Sequence, residues 1–121
     1  MKVKILVIDD NEQDRKIITR FFTKANYGEI FTAESCKEGI ERAESVNPDL
    51  VIIDTMLPDG EGFDVCRKIR EKYGSAKPKI IVTTGSIDAI DAVKARKAGA
   101  DDYCVKTSDC SCLLKAAKKF I

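Results

Sequence analysis

Residues 50–62, LVIIDTMLPDGEG, constrain the fold more than any other stretch of the chain. Leu50, Val51, Ile52 and Ile53 are apolar without alternation, the pattern of a strand covered on both faces of a parallel sheet. The run stops at Asp54, and Pro58, Gly60 and Gly62 exclude simple continuation. A carboxylate therefore stands at the end of a rigid buried element, in a loop carrying further acids. In open α/β sheets, ligands bind at that edge.

The same grammar recurs along the chain. Residues 4–8 hold a second continuous apolar run, IleLeuValIle, that ends in Asp9 and Asp10. No Gly-rich turn follows, which disfavours a dinucleotide or P-loop site. Residues 11–26 read as a helix with Ile17, Ile18, Phe21, Phe22 and Ala25 on one stripe. Residues 29–33 read as a short edge strand. Ser35 and Glu38 form a capping box for a helix that faces inward with Cys36, Ile40 and Ala43. After the Asp54 loop, Phe63, Cys66, Ile69 and Tyr73 recur at helical spacing until Gly74. Residues 79–83 predict a fourth strand, ending in Thr84-Gly85-Ser86, and residues 88–98 an alanine-rich helix closed by Gly99. Residues 102–105 predict a fifth strand that runs directly into Lys106. Ser108 or Asp109 is expected to cap a last helix facing inward with Leu113, Leu114, Ala117, Phe120 and Ile121. Strands alternating with helices, without linker or repeat, predict an α/β fold: a doubly wound parallel sheet, with residues 1–121 as one domain.

Composition narrows the chemistry. With 21 basic and 20 acidic residues, nothing calls for direct contact with nucleic acid or anionic lipid. No apolar run approaches the roughly 18 residues of a membrane span, and no signal-peptide pattern opens the chain, so a cytoplasmic setting is expected. The chain contains no histidine, which excludes a histidine triad, a histidine phosphocarrier and a His-ligated metal. Any phosphohistidine in its chemistry belongs to a partner. The five cysteines, at 36, 66, 104, 110 and 112, read as reduced thiols acting as small hydrophobes. Cys110 and Cys112 stand too close for a zinc pair, and a redox role for those two is the minor alternative.

Asp9, Asp10, Asp54, Thr84 and Lys106 all follow strands, so a parallel sheet brings them to one edge. Three carboxylates there repel by several kcal/mol at an effective dielectric of about 20. Lys106 supplies one compensating charge and a divalent cation is the natural second. The all-oxygen donor set suits Mg²⁺. The same residues meet the needs of phosphoryl transfer, with Asp54 as nucleophile, Thr84 as hydrogen-bond donor and Lys106 as fixed cation. Asp14, Asp59, Glu61, Asp101 and Asp102 read instead as caps and solvated loop residues.

With those residues in place, the chain resembles the receiver domains of two-component response regulators, including single-domain chemotaxis regulators. The resemblance rests on Asp9-Asp10, on Asp54 with Pro58 and Gly62, on Thr84-Gly85, on Lys106, and on AlaGlyAla at 98–100 followed by Asp-Asp-Tyr. It implies a flavodoxin-like fold, strand order 2-1-3-4-5, the order associated with chemotaxis regulators of this kind. It also implies that Asp54 accepts phosphate from a sensor histidine kinase or phosphotransfer protein. Mg²⁺ would be held by Asp10, Asp54 and the Met56 carbonyl, with Asp9 acting through water. Thr84, Gly85 and Lys106 would meet the phosphoryl group, and Tyr103 would be the switch aromatic. The signal would leave through the fourth helix, fifth strand and fifth helix, to an effector protein or an output domain.

Two departures from the family pattern stand out. Thr107 follows Lys106 where the family has proline, commonly cis; a non-proline cis bond costs about 3 kcal/mol, so a trans bond and a differently shaped loop are expected. Met56 stands two residues after Asp54, where an apolar side chain would shield an acyl phosphate from water and slow its hydrolysis. The competing readings are a receiver-like interaction module that never carries phosphate, and an Asp-nucleophile phosphatase. The phosphatase would need an acid where Met56 stands.

Overall fold

The computed structural model describes residues 3–85 and 89–121. Ser86 and Asp88, both included in the expectations above, lie outside the described residues. The predicted runs form one parallel sheet of β1 (Lys4–Ile8), β2 (Glu29–Ala33), β3 (Leu50–Asp54), β4 (Lys79–Thr84) and β5 (Asp102–Val105). The spatial order is β2-β1-β3-β4-β5, with β2 and β5 at the edges. The chain steps outward from β1 to β2 and then returns past β1 to β3. That reversal makes the β1/β3 boundary the switch point, where strand ends diverge and leave a crevice. Asp9 and Asp10 follow one of those two strands and Asp54 ends the other.

Alternate strand residues serve opposite faces. Ile5, Val7, Leu50, Ile52 and Ile81 pack with α1 (Glu12–Lys24) and α5 (Ser111–Phe120), burying Ile18, Phe22, Leu113 and Ala117. Leu6, Ile8, Val51, Ile53, Ile80 and Val82 pack on the other face. There they meet Ala43 of α2 (Cys36–Val46), Phe63, Cys66 and Ile69 of α3 (Gly62–Tyr73), and Ala95 of α4 (Ala89–Lys97). Both faces of β3 are thus closed, which explains its unbroken apolar run.

Local chemistry sets the helix ends. Asn11 caps α1 by accepting from the Asp14 amide at 3.0 Å, and Ser35 Oγ accepts from the Glu38 amide at 3.1 Å. The start of α2 gains a second cap from a distant loop: Asp59 accepts from the amides of Cys36 and Lys37 at 2.7 and 3.0 Å. Those two bonds hold the Asp59 carboxyl below the ordinary carboxylate range. Gly74, at φ +83°, ends α3 as expected.

Some expectations need correction. Helix α1 ends at Lys24 and leaves Ala25 exposed; Tyr73 is 38 % exposed and lies off the inner face of α3. Neither Ser108 nor Asp109 occupies the cap position of α5, which falls to Cys110 at φ +54°. Asp109 still serves that end from one residue further out, accepting from the Ser111 amide at 3.0 Å and the Thr107 hydroxyl at 2.9 Å. Met56–Leu57 and Gly60–Glu61 form a small antiparallel ribbon that two glycines and a proline had concealed. Finally, Cys104 and Cys112 are joined as a disulfide, with Cα atoms 5.8 Å apart, whereas Cys36, Cys66 and Cys110 are free. Sequence spacing had directed attention to Cys110 and Cys112, but β5 and α5 pack so that position 104 faces position 112.

Candidate functional site: the acidic crevice at the β1/β3 switch point

Asp9 is the deepest member of the site, 1 % exposed. Its position is fixed from three sides. Its amide donates to the Ala33 carbonyl at 3.0 Å, its carbonyl accepts from Arg15 Nη1 at 2.8 Å, and its Oδ1 accepts from the Asn11 amide at 2.9 Å. Asp10 beside it is exposed. Asp54, from β3, is half-buried, and the three carboxylates offer oxygens that lie within 4.8 Å of one another. Residues 45 positions apart in sequence are therefore brought together by the pairing of β1 with β3.

Lys106 enters this cluster from the end of β5. Its amide donates to the Thr84 carbonyl at 2.7 Å, which anchors the loop to β4. Its Nζ stands 2.8 Å from Asp9 Oδ2, 3.2 Å from Asp54 Oδ2 and 2.7 Å from Asp14 Oδ2. Burial opposes its charge, but the hydrogen bonds to Asp14 and Asp9 prevail and push the ammonium above the ordinary lysine range. Asp14 is the site residue that sequence reading misplaced among the solvated acids. It occupies the first turn of α1, one turn beyond the Asn11 cap, and no local pattern shows that β5 will deliver a lysine beside it.

The electrostatics are unbalanced. Burial, and next the charge of Asp9, raise the Asp54 carboxyl above the ordinary carboxylate range, and Lys106 opposes this only in part. Asp9 Oδ2 is fully enclosed, and its charge partner is the Lys106 ammonium 2.8 Å away. One ammonium facing Asp9, Asp14 and Asp54, with Asp10 beside them, leaves an excess of negative charge that a hard cation offsets. The donor set is all oxygen, as Mg²⁺ requires, so the residues present fit that ion.

The remaining predicted residues lie around the rim. Thr84 ends β4 and is buried, and Gly85 is exposed after it. Met56, in the small ribbon, is 76 % exposed. Tyr103, on β5, packs against the core on the α4 side, and its hydroxyl is enclosed without a hydrogen-bond partner among the described residues. Beside it lies a groove lined by Ala92, Ala95, Arg96, Ala100 and Asp102. The Lys106–Thr107 bond is trans, as expected without proline.

Comparison with known proteins agrees with this geometry. The response regulator receiver domain family matches residues 5–118 of the chain. The chain belongs to the response regulator receiver family. The transcriptional regulatory protein ResD of Bacillus subtilis is 39 % identical over 105 residues, covering 87 % of this chain and 42 % of ResD. The CheY-like receiver domain protein of Methanospirillum hungatei superposes with a TM-score of 0.88 at 27 % identity, covering 98 % of this chain and 93 % of that one. Chemotaxis protein CheY4 of Vibrio cholerae shares the fold, with a TM-score of 0.91 over all of both chains at 23 % identity. The chain spans less than half the length of the curated relatives it matches, between 42 % and 49 % for four of them. As a receiver, it is a signalling module of two-component systems, a family in which aspartate phosphorylation and Mg²⁺ binding at an acidic pocket are typical.

Proposed function

We propose that this receiver accepts a phosphoryl group on Asp54 and works as a phosphorylation-switched signalling module rather than a turnover enzyme. The observation that carries the reading is the Asp9–Asp10–Asp54 cluster with Lys106 at 3.2 Å from Asp54. A donor phosphohistidine belongs to a partner kinase or phosphotransfer protein, since this chain has no histidine. Asp54 attacks the phosphorus through one carboxylate oxygen; a P–O bond forms, the P–N bond breaks, and the bonding electrons leave with the partner's imidazole.

Asp10, Asp54 and the Met56 carbonyl would hold Mg²⁺ directly, with Asp9 joining through water. When bound, the ion neutralises charge that develops on the transferring group. Lys106 pairs with one phosphoryl oxygen, and Thr84 donates to another. Asp14 and Asp9 keep the Lys106 ammonium charged and aimed at the crevice, which replaces the rigidity that a proline after it would have supplied. The switch reading draws support from Tyr103, whose enclosed hydroxyl has no hydrogen-bond partner among the described residues and stands beside a groove flanked by α4. A dianionic phosphate on Asp54 recruits Thr84 inward and biases Tyr103, which changes the surface of α4, β5 and α5. That surface would address an effector protein or an output domain, with no direct contact to nucleic acid or membrane.

The test is intact mass after incubation with acetyl phosphate and Mg²⁺. One phosphoryl group is expected, dependent on Mg²⁺ and absent from Asp54→Asn. A folded protein that binds Mg²⁺ but gains no mass would instead be a phosphate-independent interaction module.

A further inference from the structure

Cys104 and Cys112 bracket the loop that carries Lys106, and neither is used by the chemistry above. Cys104 lies at 1 % exposure in β5, and Cys112, half-buried, lies in the first turn of α5. Their Cα atoms are 5.8 Å apart across eight positions of sequence, inside the range a disulfide needs. The segment between them holds Lys106, Thr107 and Asp109. We propose that Cys104 and Cys112 form a reversible thiol–disulfide pair that clamps the Lys106 loop between β5 and α5.

The two thiols differ in a way that gives each a role. Cys112 is partly open to solvent and sits in the first turn of α5, which carries no acid of its own, with Asp109 one residue outside the cap holding the Ser111 amide. Helix N-termini favour thiolate, the form that reacts. Cys104 is shielded and acts second. With a peroxide as oxidant, the Cys112 thiolate attacks the O–O bond, becoming a sulfenic acid as water departs after protonation. The Cys104 thiol then attacks that sulfur; the S–S bond forms, the S–O bond breaks, and a second water leaves. The two electrons end on the peroxide. A dithiol reductant reverses the step by exchange and is itself oxidised. Cys110, only 3 % exposed, points into the core beside Leu113 and Ala117 and keeps its thiol. Burial, and next the Asp109 charge, push that thiol up and make it a poor competitor.

The clamp has a defined object. Between the two cysteines the loop is otherwise held by the Lys106 amide on Thr84, by the Lys106 ammonium on Asp9, Asp14 and Asp54, by the Cys110 amide on Thr107 at 3.3 Å, and by the Asp109 bonds. No proline stiffens it. The disulfide is the only covalent link from β5 to α5 among the described residues besides the chain itself. Its consequence for phosphorylation rests on the Asp54 reading; its existence does not.

The experiment treats the whole chain with hydrogen peroxide or with excess dithiothreitol and maps cysteines by non-reducing peptide mass analysis. A Cys104–Cys112 link is expected after peroxide and two free thiols after reduction. Amide exchange over residues 105–111 should be about tenfold slower in the oxidised form. Cys112→Ser should abolish the link, and Cys110→Ser should retain it. A link through Cys110, no link at all, or a link that survives excess dithiothreitol in the folded protein would each overturn the proposal. Acceptance of phosphate from acetyl phosphate should be about three- to tenfold faster in the oxidised form, because Lys106 is held in place. Equal rates overturn the coupling. A link that maps correctly in a protein that takes no phosphate in either form refutes the acceptor reading and leaves the clamp standing.

Discussion

At the scale of single residues, the crevice holds a charge conflict that stability measurements can expose. Asp54 has a raised pKa through burial and then through Asp9, so the folded state binds its proton more tightly than the unfolded chain does. Stability therefore falls as pH rises from the ordinary value of 3.8 through the raised one, and an ionised Asp54 is destabilising at neutral pH. Asp54→Asn is expected to raise the melting temperature at pH 7 by roughly 3–6 °C, since Lys106 keeps Asp9 and Asp14 as partners. The gain should disappear below the ordinary carboxylate pKa of 3.8, where both forms are neutral; an equal gain at both pH values would show that charge is not the cause. Met56 is the second residue to probe. It is 76 % exposed two positions after Asp54, and Met56→Asn should shorten the lifetime of the phosphorylated protein several-fold, read as decay of the intact-mass signal. An unchanged or longer lifetime counts against the shielding role. The convergence of Asp9, Asp10, Asp54 and Lys106 was legible because each stands at or just after the carboxyl end of a predicted strand. Asp14 was not, because its partner lies 92 positions away and only folding brings the two together.

At the scale of elements, caps and turns explain most boundaries, and one glycine connects an element boundary to the site. Gly62 opens α3, and its amide donates to the Thr55 carbonyl at 2.9 Å. A Cβ at Gly62 would overlap the carbonyl oxygen of Asp54, which has no room to retreat because Thr55 is tied to the Thr83 carbonyl at 3.1 Å. Gly62→Ala is expected to cost about 2–3 kcal/mol, measured by urea denaturation, and to weaken Mg²⁺ binding by moving the Asp54 backbone. Loss of stability with unchanged Mg²⁺ affinity would separate the two effects and remove the second. The apolar runs of β1, β3 and β4 announced themselves, as did the stripes of α1 and α3. The cap of α5 did not, because a left-handed Cys110 is a conformation that cysteine spacing does not advertise.

At the scale of the whole molecule, Arg70 ties distant segments together behind the site. Its guanidinium donates to Asp101 at 2.7 Å, to the Gly99 carbonyl at 2.8 Å and to the Pro78 carbonyl at 2.6 Å, with only 12 % of the side chain exposed. One side chain of α3 thereby fixes the entrance of β4 and the turn between α4 and β5. Asp101 in turn accepts from the Ile80 amide at 2.8 Å. Arg70→Met keeps the aliphatic stem but strands those acceptors, and is expected to cost about 2–4 kcal/mol in urea denaturation. A loss under 1 kcal/mol would mean that water replaces the guanidinium without penalty. The amino-acid sequence by itself determined the α/β class, the parallel sheet and the edge at which the acids gather. Strand burial, helix stripes and strand-end residues are local properties written in periods of two and about 3.6. Only the tertiary structure decided that Asp14 shares Lys106, that Arg70 bridges three segments and that Cys104 meets Cys112. Those contacts depend on the packing of elements far apart in the chain, and no local period records which side chains such packing will bring within 3 or 6 Å.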